Sequence, residues 1–518
     1  MTEPLILTFD IGTQSTRALL VNARGDILHK VQKPYDPPYF SQNPGWAEQR
    51  ADYYWGCIGE TSRSLKEKAG DLWKDIIAVT CSTIRDTVVC LDRNRNPLGN
   101  VILWLDERKA DKIPPVSAFA NSLYRLVGMK EGVAIQRAGS HCNWLAYHDR
   151  ERWDKTEKYV FISAWLNYKF TGNLVDSTAS AIGHLPFDSK TRNWYKNRDF
   201  RWAIFYVTKG KLCDLVEPGT VTGGITAETS EHTGIPKGLP LIATGSDKGC
   251  ETLGLSCLDN GKAALSFGTT ATVQLSSQKY FEPQPFMPSY AAVVPGYFNP
   301  EIEIYRGYWL LNWFKREFAA KEMEEAAKLG LNAEKLLDNR LKEIPPGCDG
   351  LIMQPYFTPG VNMPFAKGAI IGFSDIHTRI HIYRAIIEGI NFALMDGLHY
   401  MEKRGNMQIK SLFAAGGGAQ SDEICRITAS MFGLPVYRIQ THEATGIGSS
   451  LAAFVAKGVF SSYEEGIGKM VHIKDEFEPK PQEHQIYEQL YSEVFTKVFD
   501  KLSPLYEVIS GIVAKKFT

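Results

Sequence analysis

FDIGTQSTR (9–17) closes one apolar segment, LILTF (5–9), and opens another, RALLV (17–21). A third segment, DILHKV (26–31), follows the turn residues ARGD, and three such runs in succession read as a β-meander at the start of an α/β domain. The first strand ends in Asp10, and the turn after it offers Gly12, Thr13, Ser15 and Thr16, with Arg17 beginning the return strand. Glycine lets the main chain approach a phosphate closely, small hydroxyl residues add donors, and a carboxylate at a strand end can hold a Mg²⁺-bound water. An ordinary hairpin turn would carry the same residues.

The pattern returns halfway along the chain. AALSF (263–267) and TVQL (272–275) flank the turn Gly268, Thr269 and Thr270, within SFGTTAT (266–272). A weak internal repeat of this kind suggests that a second domain opens as the first did, with a boundary near residues 250 to 260. Further on, SLFAA (411–415) reads as a buried strand, GGGAQS (416–421) as a tight turn and DEICRITASMFG (422–433) as a helix. GGGAQSDE is neither a P-loop nor a dinucleotide fingerprint, yet Gly416, Gly417 and Gly418 permit close approach of a base or ribose. Ser421 and Asp422 stand at the N-terminus of the following helix, which favours anionic groups nearby. A glycine turn needed only for packing is the alternative. ATGIGSSLAAFVAKG (444–458) reads as a helix that is small on one side, a helical stretch is expected over 157–171 before Gly172, and residues 482 to 517 read as largely helical.

A chain of 518 residues is too long for one core and implies about two large domains. Lys plus Arg and Asp plus Glu are both 58, so no net field favours nucleic acid or an anionic membrane surface. The nine cysteines form no C-x-x-C pair and no zinc-like spacing, a usage that suits a reducing cytosol. No basic and apolar leader and no run of about 18 apolar residues is visible, so a cytoplasmic protein without membrane contact is expected. A homodimer is compatible with the sequence, which names no oligomeric state.

Asp247 lies between Gly245 and Gly249 in ATGSDKG, at the presumed domain crossing, where a carboxylate could accept a proton from a substrate hydroxyl. A capping aspartate in a loop is the plain alternative. IRDTVV (84–89) and LWLDERKA (103–110) set Arg85, Asp86, Trp104, Asp106 and Arg108 beside apolar strands. Arginine and carboxylate groups suit vicinal hydroxyls, and an aromatic face suits a carbon skeleton; a salt bridge at the strand end would use the same residues.

In order, these segments resemble the FGGY family of carbohydrate kinases, of the actin, hexokinase and chaperone-ATPase superfamily. D-x-G-T-x-S-x-R stands as Asp10 to Arg17, P-G-W-x-E-Q as PGWAEQ (44–49), and W-x-D-x-R as Trp104, Asp106 and Arg108. G-x-D follows as GSDKG (245–249), S-x-G-T-[ST] as SFGTT (266–270), and G-G-G-A-x-S as Gly416 to Ser421. The resemblance covers about residues 4 to 460. It implies two ribonuclease-H-like (actin-like ATPase) α/β domains, an N-terminal one over 1–253 and a C-terminal one over 254–480, with a helical segment over 481–518 and ATP in a central inter-domain cleft. Asp247 is then the general base and Asp10 helps to hold Mg²⁺. Gly12, Thr13, Ser15, Arg17, Gly268, Thr269 and Thr270 attend the phosphates, and Gly416, Gly417, Gly418, Ser421 and Asp422 the nucleoside side.

Arg85, Asp86, Trp104, Asp106, Asp247 and Lys248 would form the acceptor site. Arg85 and Asp86 look more like the R-E-T of glycerol kinases than the M-H-G of xylulokinases, with Asp in place of Glu. Pentuloses, polyols such as glycerol, deoxy-sugars and sugar acids all stay open as acceptors. One departure concerns the pocket wall: the family usually has a lysine three residues before an aromatic, in K-L-x-W, where this chain has SHCNWLAYHD (140–149) with Trp144. A nucleotide-driven switch and a non-catalytic sugar sensor are the rival classes. The acceptor residues count against the first and the presence of both Asp10 and Asp247 against the second.

Overall fold

The computed structural model describes residues 3–514, apart from positions 112, 127, 361, 362 and 364. The chain forms two packed units. One comprises Met1–Ser256, Pro288–Asn299 and Glu443–His472, the other Cys257–Met287, Pro300–His442 and Ile473–Thr518.

In the first unit β1 (Leu5–Ile11), β2 (Ser15–Asn22), β3 (Ile27–Pro34), β4 (Ile76–Thr83), β5 (Val221–Gly224) and β6 (Pro240–Ile242) form one sheet, in the order β5-β6-β4-β1-β2-β3. β1 is buried along its whole length, as its near-continuous apolar run requires of a strand covered on both faces. It pairs antiparallel with β2, setting Asp10 opposite Arg17, and parallel with β4, setting Asp10 beside Ser82. Alternation along β1 sends Leu5, Leu7, Phe9 and Ile11 into the apolar core. Thr8 and Asp10 fall on the other face.

That second face meets the helix Ala444–Ala456, which lies far away in sequence. Thr8 Oγ1 bonds Ser450 Oγ at 2.7 Å and Thr80 Oγ1 at 2.9 Å, and Ser449 Oγ donates to Thr80 Oγ1 at 2.9 Å. The small side of this helix is therefore a packing face, and the helix belongs to the first unit despite following most of the second in sequence. A smaller sheet built from Glu48–Gln49, Val88–Leu91, Val101–Ile102 and Lys158–Phe161 flanks the segments that carry Arg85, Asp86, Trp104 and Asp106. The last of these strands corrects the helix expected over 157–171: Tyr159, Val160 and Phe161 pair with Val88–Cys90, and the helix spans only Ile162–Thr171. β-Branched and aromatic residues at a sheet edge won over helical periodicity.

The second unit repeats the plan with β7 (Lys262–Phe267), β8 (Ala271–Gln274), β9 (Glu301–Ile304), β10 (Ser411–Ala415), β11 (Val436–Ile439) and β12 (Ile473–Phe477), in the order β9-β8-β7-β10-β11-β12. In each sheet an antiparallel three-strand meander is followed by two parallel strands and then an antiparallel edge strand. This is the ribonuclease-H-like arrangement expected twice over, and the faint sequence repeat marks its two opening hairpins. The long helix Arg379–Gly405 is buried along most of its length in the second core. The terminal segment forms Pro481–Leu490, a π-helical turn Tyr491–Phe495 and Thr496–Ala514, and positions 515–517 of the expected helix lie outside the described residues. Among the described residues no helix is long and apolar enough to cross a membrane.

Candidate active site

The first hairpin closes with Gly12 N–H donating to Ser15 C=O at 3.0 Å. Asp10 accepts from Arg17 Nη1 at 2.8 Å, and Arg17 also lies 3.6 Å from Glu443. Burial raises the Asp10 carboxyl to about 6; the Arg17 charge opposes this, while the charges of Asp247 and Glu443 add to it. Thr13 accepts from the indole N–H of Trp104 at 3.0 Å, so the expected phosphate turn and the expected acceptor wall are joined directly. Ser15 is buried and accepts from Gln32 at 3.0 Å.

Asp247 is the first residue of the helix Asp247–Gly254, whose N-cap, Ser246, accepts from Gly249 N–H. It is thus a helix-start residue, with its own oxygen accepting from Lys248 N–H at 2.8 Å. Burial raises its carboxyl, against the charges of Lys248 and Arg85. Arg85 Nε donates to Ser246 Oγ at 3.1 Å and its guanidinium lies over the Tyr290 ring at 5.0 Å. Segments 161 residues apart in sequence therefore meet beside Asp247. Lys248 lies 3.3 Å from Glu251.

Asp86 takes a positive φ of 44° and accepts from His184 N–H at 2.9 Å and bonds His184 Nδ1 at 2.6 Å. Burial would raise this carboxyl, but the His184 charge and hydrogen bonds outweigh it and hold Asp86 below the usual carboxylate range. Asp106 commits both oxygens to protein groups: Oδ1 to Arg108 N and Nε, Oδ2 to Ala47 N and Arg108 Nη2, at 2.7–3.0 Å. Arg108 also donates to Glu48 at 2.7 Å, and its guanidinium lies against both the Trp46 and Trp144 rings. The P-G-W-x-E-Q and W-x-D-x-R elements thus form one buried clamp, in which Asp106 is an anchor.

In the second unit the turn Gly268–Thr270 is fixed through its backbone, Gly268 C=O accepting from Tyr308 N–H and Thr269 C=O from Trp309 N–H. The Thr269 side chain is exposed, whereas Thr270 is buried with its hydroxyl donating to Tyr305 C=O. Gly416 has φ +88°, and a Cβ there would press on the Phe267 backbone at 2.8 Å. A Cβ on Gly418 would strike the Tyr308 ring, but one on Gly417 would meet nothing within 4 Å. Two of the three glycines serve packing, and Gly417 is the open one. Ser421 caps the helix Asp422–Phe432 and Asp422 pairs with Arg438 at 2.6 Å.

Among the described residues no three His, Cys, Asp or Glu side chains are gathered closely enough to hold a metal by themselves. A Mg²⁺ held by one carboxylate, waters and phosphate oxygens needs no such cage, and the excess of carboxylates around Asp10 fits a cation there. Sequence reasoning did not single out Glu443, Ser246, Tyr290, His141 and His184, which the structure sets against the candidate residues. Of these, Ser246 and His141 left a trace: Ser246 lies inside GSDKG (245–249), and His141 stands three residues before Trp144, where the K-L-x-W pattern has lysine.

Residues 5–254 match the N-terminal domain and residues 263–457 the C-terminal domain of the FGGY family of carbohydrate kinases. A xylulose kinase of Lactococcus lactis is 26% identical over 93% of this chain and 94% of its own length. A glycerol kinase of Solidesulfovibrio magneticus is 27% identical over 92% and 94%. Among solved structures, a gluconate kinase from Lactobacillus acidophilus superposes with a TM-score of 0.82 at 23% identity, covering 98% of this chain and all of that one, a likeness of fold.

Proposed function

Because this chain belongs to the FGGY family of carbohydrate kinases, enzymes that phosphorylate sugars or polyols with ATP, we propose that Asp247 is the base of that reaction and that Arg85 and Asp86 hold an open-chain ketose or polyol beside it. The observation that carries this reading is the bond from Arg85 to Ser246, which brings the acceptor segment to the residue next to Asp247. In the transfer, a bond forms from an acceptor oxygen to the γ-phosphorus, the bond to the β–γ bridging oxygen breaks, ADP leaves, and the hydroxyl proton passes to Asp247. The transition state is loose, so positioning and neutralisation of phosphate charge contribute more than early deprotonation. A carboxyl raised by burial suits a proton acceptor that acts late.

Asp10, beside Arg17, would hold Mg²⁺, which when bound neutralises charge on the phosphates. Thr13, fixed by Trp104, and Thr269, exposed at its turn, are the hydroxyls assigned to phosphate oxygens, and Gly417 offers the open backbone assigned to the nucleoside. The test is a panel of ketoses, aldoses, polyols and sugar acids, scored for ADP release with Mg²⁺ and ATP. A ketose or polyol as the best acceptor supports the reading, and release with none of them sinks it.

A further inference from the structure

His141 begins the helix His141–His148 and is buried, with 4% of its side chain exposed. Among the described residues neither of its ring nitrogens has a hydrogen-bond partner. The nearest carboxylate, Asp106 at 3.9 Å, already accepts four bonds from Arg108 and Ala47 and has no capacity left for the ring. Asp86 and His184 lie close enough to act on the ring's charge, yet burial pushes it down to about 4, so the imidazole is neutral at pH 7 and offers one donor and one acceptor. Asp86 retains acceptor capacity beyond its two bonds to His184. Gly183 leaves room for that pairing, since a Cβ there would collide with the Asp86 carboxylate.

We propose that His141, with Asp86 beside it, is a specificity-determining contact for a hydroxyl of the acceptor that does not react, and that this wall favours a neutral polyhydroxy acceptor over a sugar acid. The inference rests on the reading that the Arg85 and Asp86 segment binds the acceptor. A hydroxyl both donates and accepts, which is what His141 and Asp86 together lack. A carboxylate only accepts, so it could not donate to the Asp86 oxygens and would set its charge against theirs. His184 is a positioning residue that orients Asp86.

The experiment compares the full-length wild type with His141→Leu and His141→Gln, on the best acceptor, on its singly deoxygenated analogues and on the corresponding aldonic acid. Leu should raise the acceptor KM by about 10- to 100-fold with the ATP KM unchanged, and Gln should recover most of that loss. One deoxy analogue should show the same KM with wild type and Leu, identifying the hydroxyl that His141 reads. If Leu gives no folded protein, His141→Asn, polar but shorter, carries the same readout. An unchanged acceptor KM in a folded variant, as a buried water on His141 would give, overturns the proposal, as does a wild-type preference for the aldonic acid. Asp86→Asn separates the levels: an unchanged acceptor KM there removes the whole segment from the acceptor site, whereas a large rise beside a silent His141 removes His141 alone.

Discussion

A Cβ on Gly448 would collide with the backbone carbonyl of Cys250, and one on Gly254 would collide with the carbonyl of Ala444. The helices Asp247–Gly254 and Ala444–Ala456 therefore pack backbone against backbone, and Thr445 Oγ1 donates to the carbonyl of Asp247 itself at 3.3 Å. Gly448→Ala should push the two apart. Overpacking of this kind costs about 1–3 kcal/mol, which thermal denaturation will register as a lower Tm. A shift of the Asp247 helix by about 1 Å should also lower kcat by about 10²-fold. A variant with wild-type Tm and kcat would show that this contact does not position Asp247.

The same pair of helices marks what the sequence could and could not disclose. Gly446, Gly448, Ser449 and Ser450 announce a helix with a small side, but nothing local says that the side faces a helix 200 residues earlier and a threonine layer on β1 and β4. Membership of the first unit is a tertiary fact. The turns were legible as turns because Gly and Thr between two apolar runs mark a hairpin, and the order of the motifs reinforced each one. The division of labour within a motif was not. Thr13, Ser15 and Thr270 look alike as phosphate ligands, yet the Thr13 and Ser15 hydroxyls accept from Trp104 and Gln32 and keep their protons, whereas Thr270 gives its proton to the Tyr305 carbonyl.

Asp10 gives a pH dependence with a definite sign. Its carboxyl is raised by burial from about 3.8 to about 6, so the native state binds this proton more tightly than the unfolded chain does. The associated stability is fully present below pH 4 and is lost as pH rises through 6. Asp10→Asn, which imitates the protonated form, should match wild type near pH 4 and exceed it by about 3 kcal/mol at pH 7. Denaturant titrations at the two pH values read the difference. Mg²⁺ added at pH 7 should stabilise wild type more than the variant, and equal stabilisation would remove Asp10 from the cation site.

Thr269→Val keeps the shape of an exposed turn residue and removes one hydroxyl. The turn itself is held by backbone bonds to Tyr308 and Trp309, so Tm should not move. MgATP binding should weaken or transfer should slow, while acceptor binding measured without nucleotide by calorimetry stays the same. Equal losses for both ligands would contradict the assignment of this hydroxyl to phosphate.

Asp247→Asn is the most direct test of the chemistry. Asn has nearly the same size and keeps an oxygen for the Lys248 N–H, and Ser246 still caps the helix, so fold and ATP affinity should be preserved. What is lost is the proposed base next to Ser246, the partner of Arg85, and turnover should fall by about 10² to 10⁴. The pH profile adds a signature that a structural role would not give. Burial raises the Asp247 carboxyl above its ordinary value, so wild-type kcat should climb with pH through that raised pKa as the base ionises. Asn cannot ionise, so the acid limb should disappear from the residual activity. If the variant keeps both near wild-type turnover and an unchanged acid limb, the proton is taken by another group, and Asp247 serves only to start its helix.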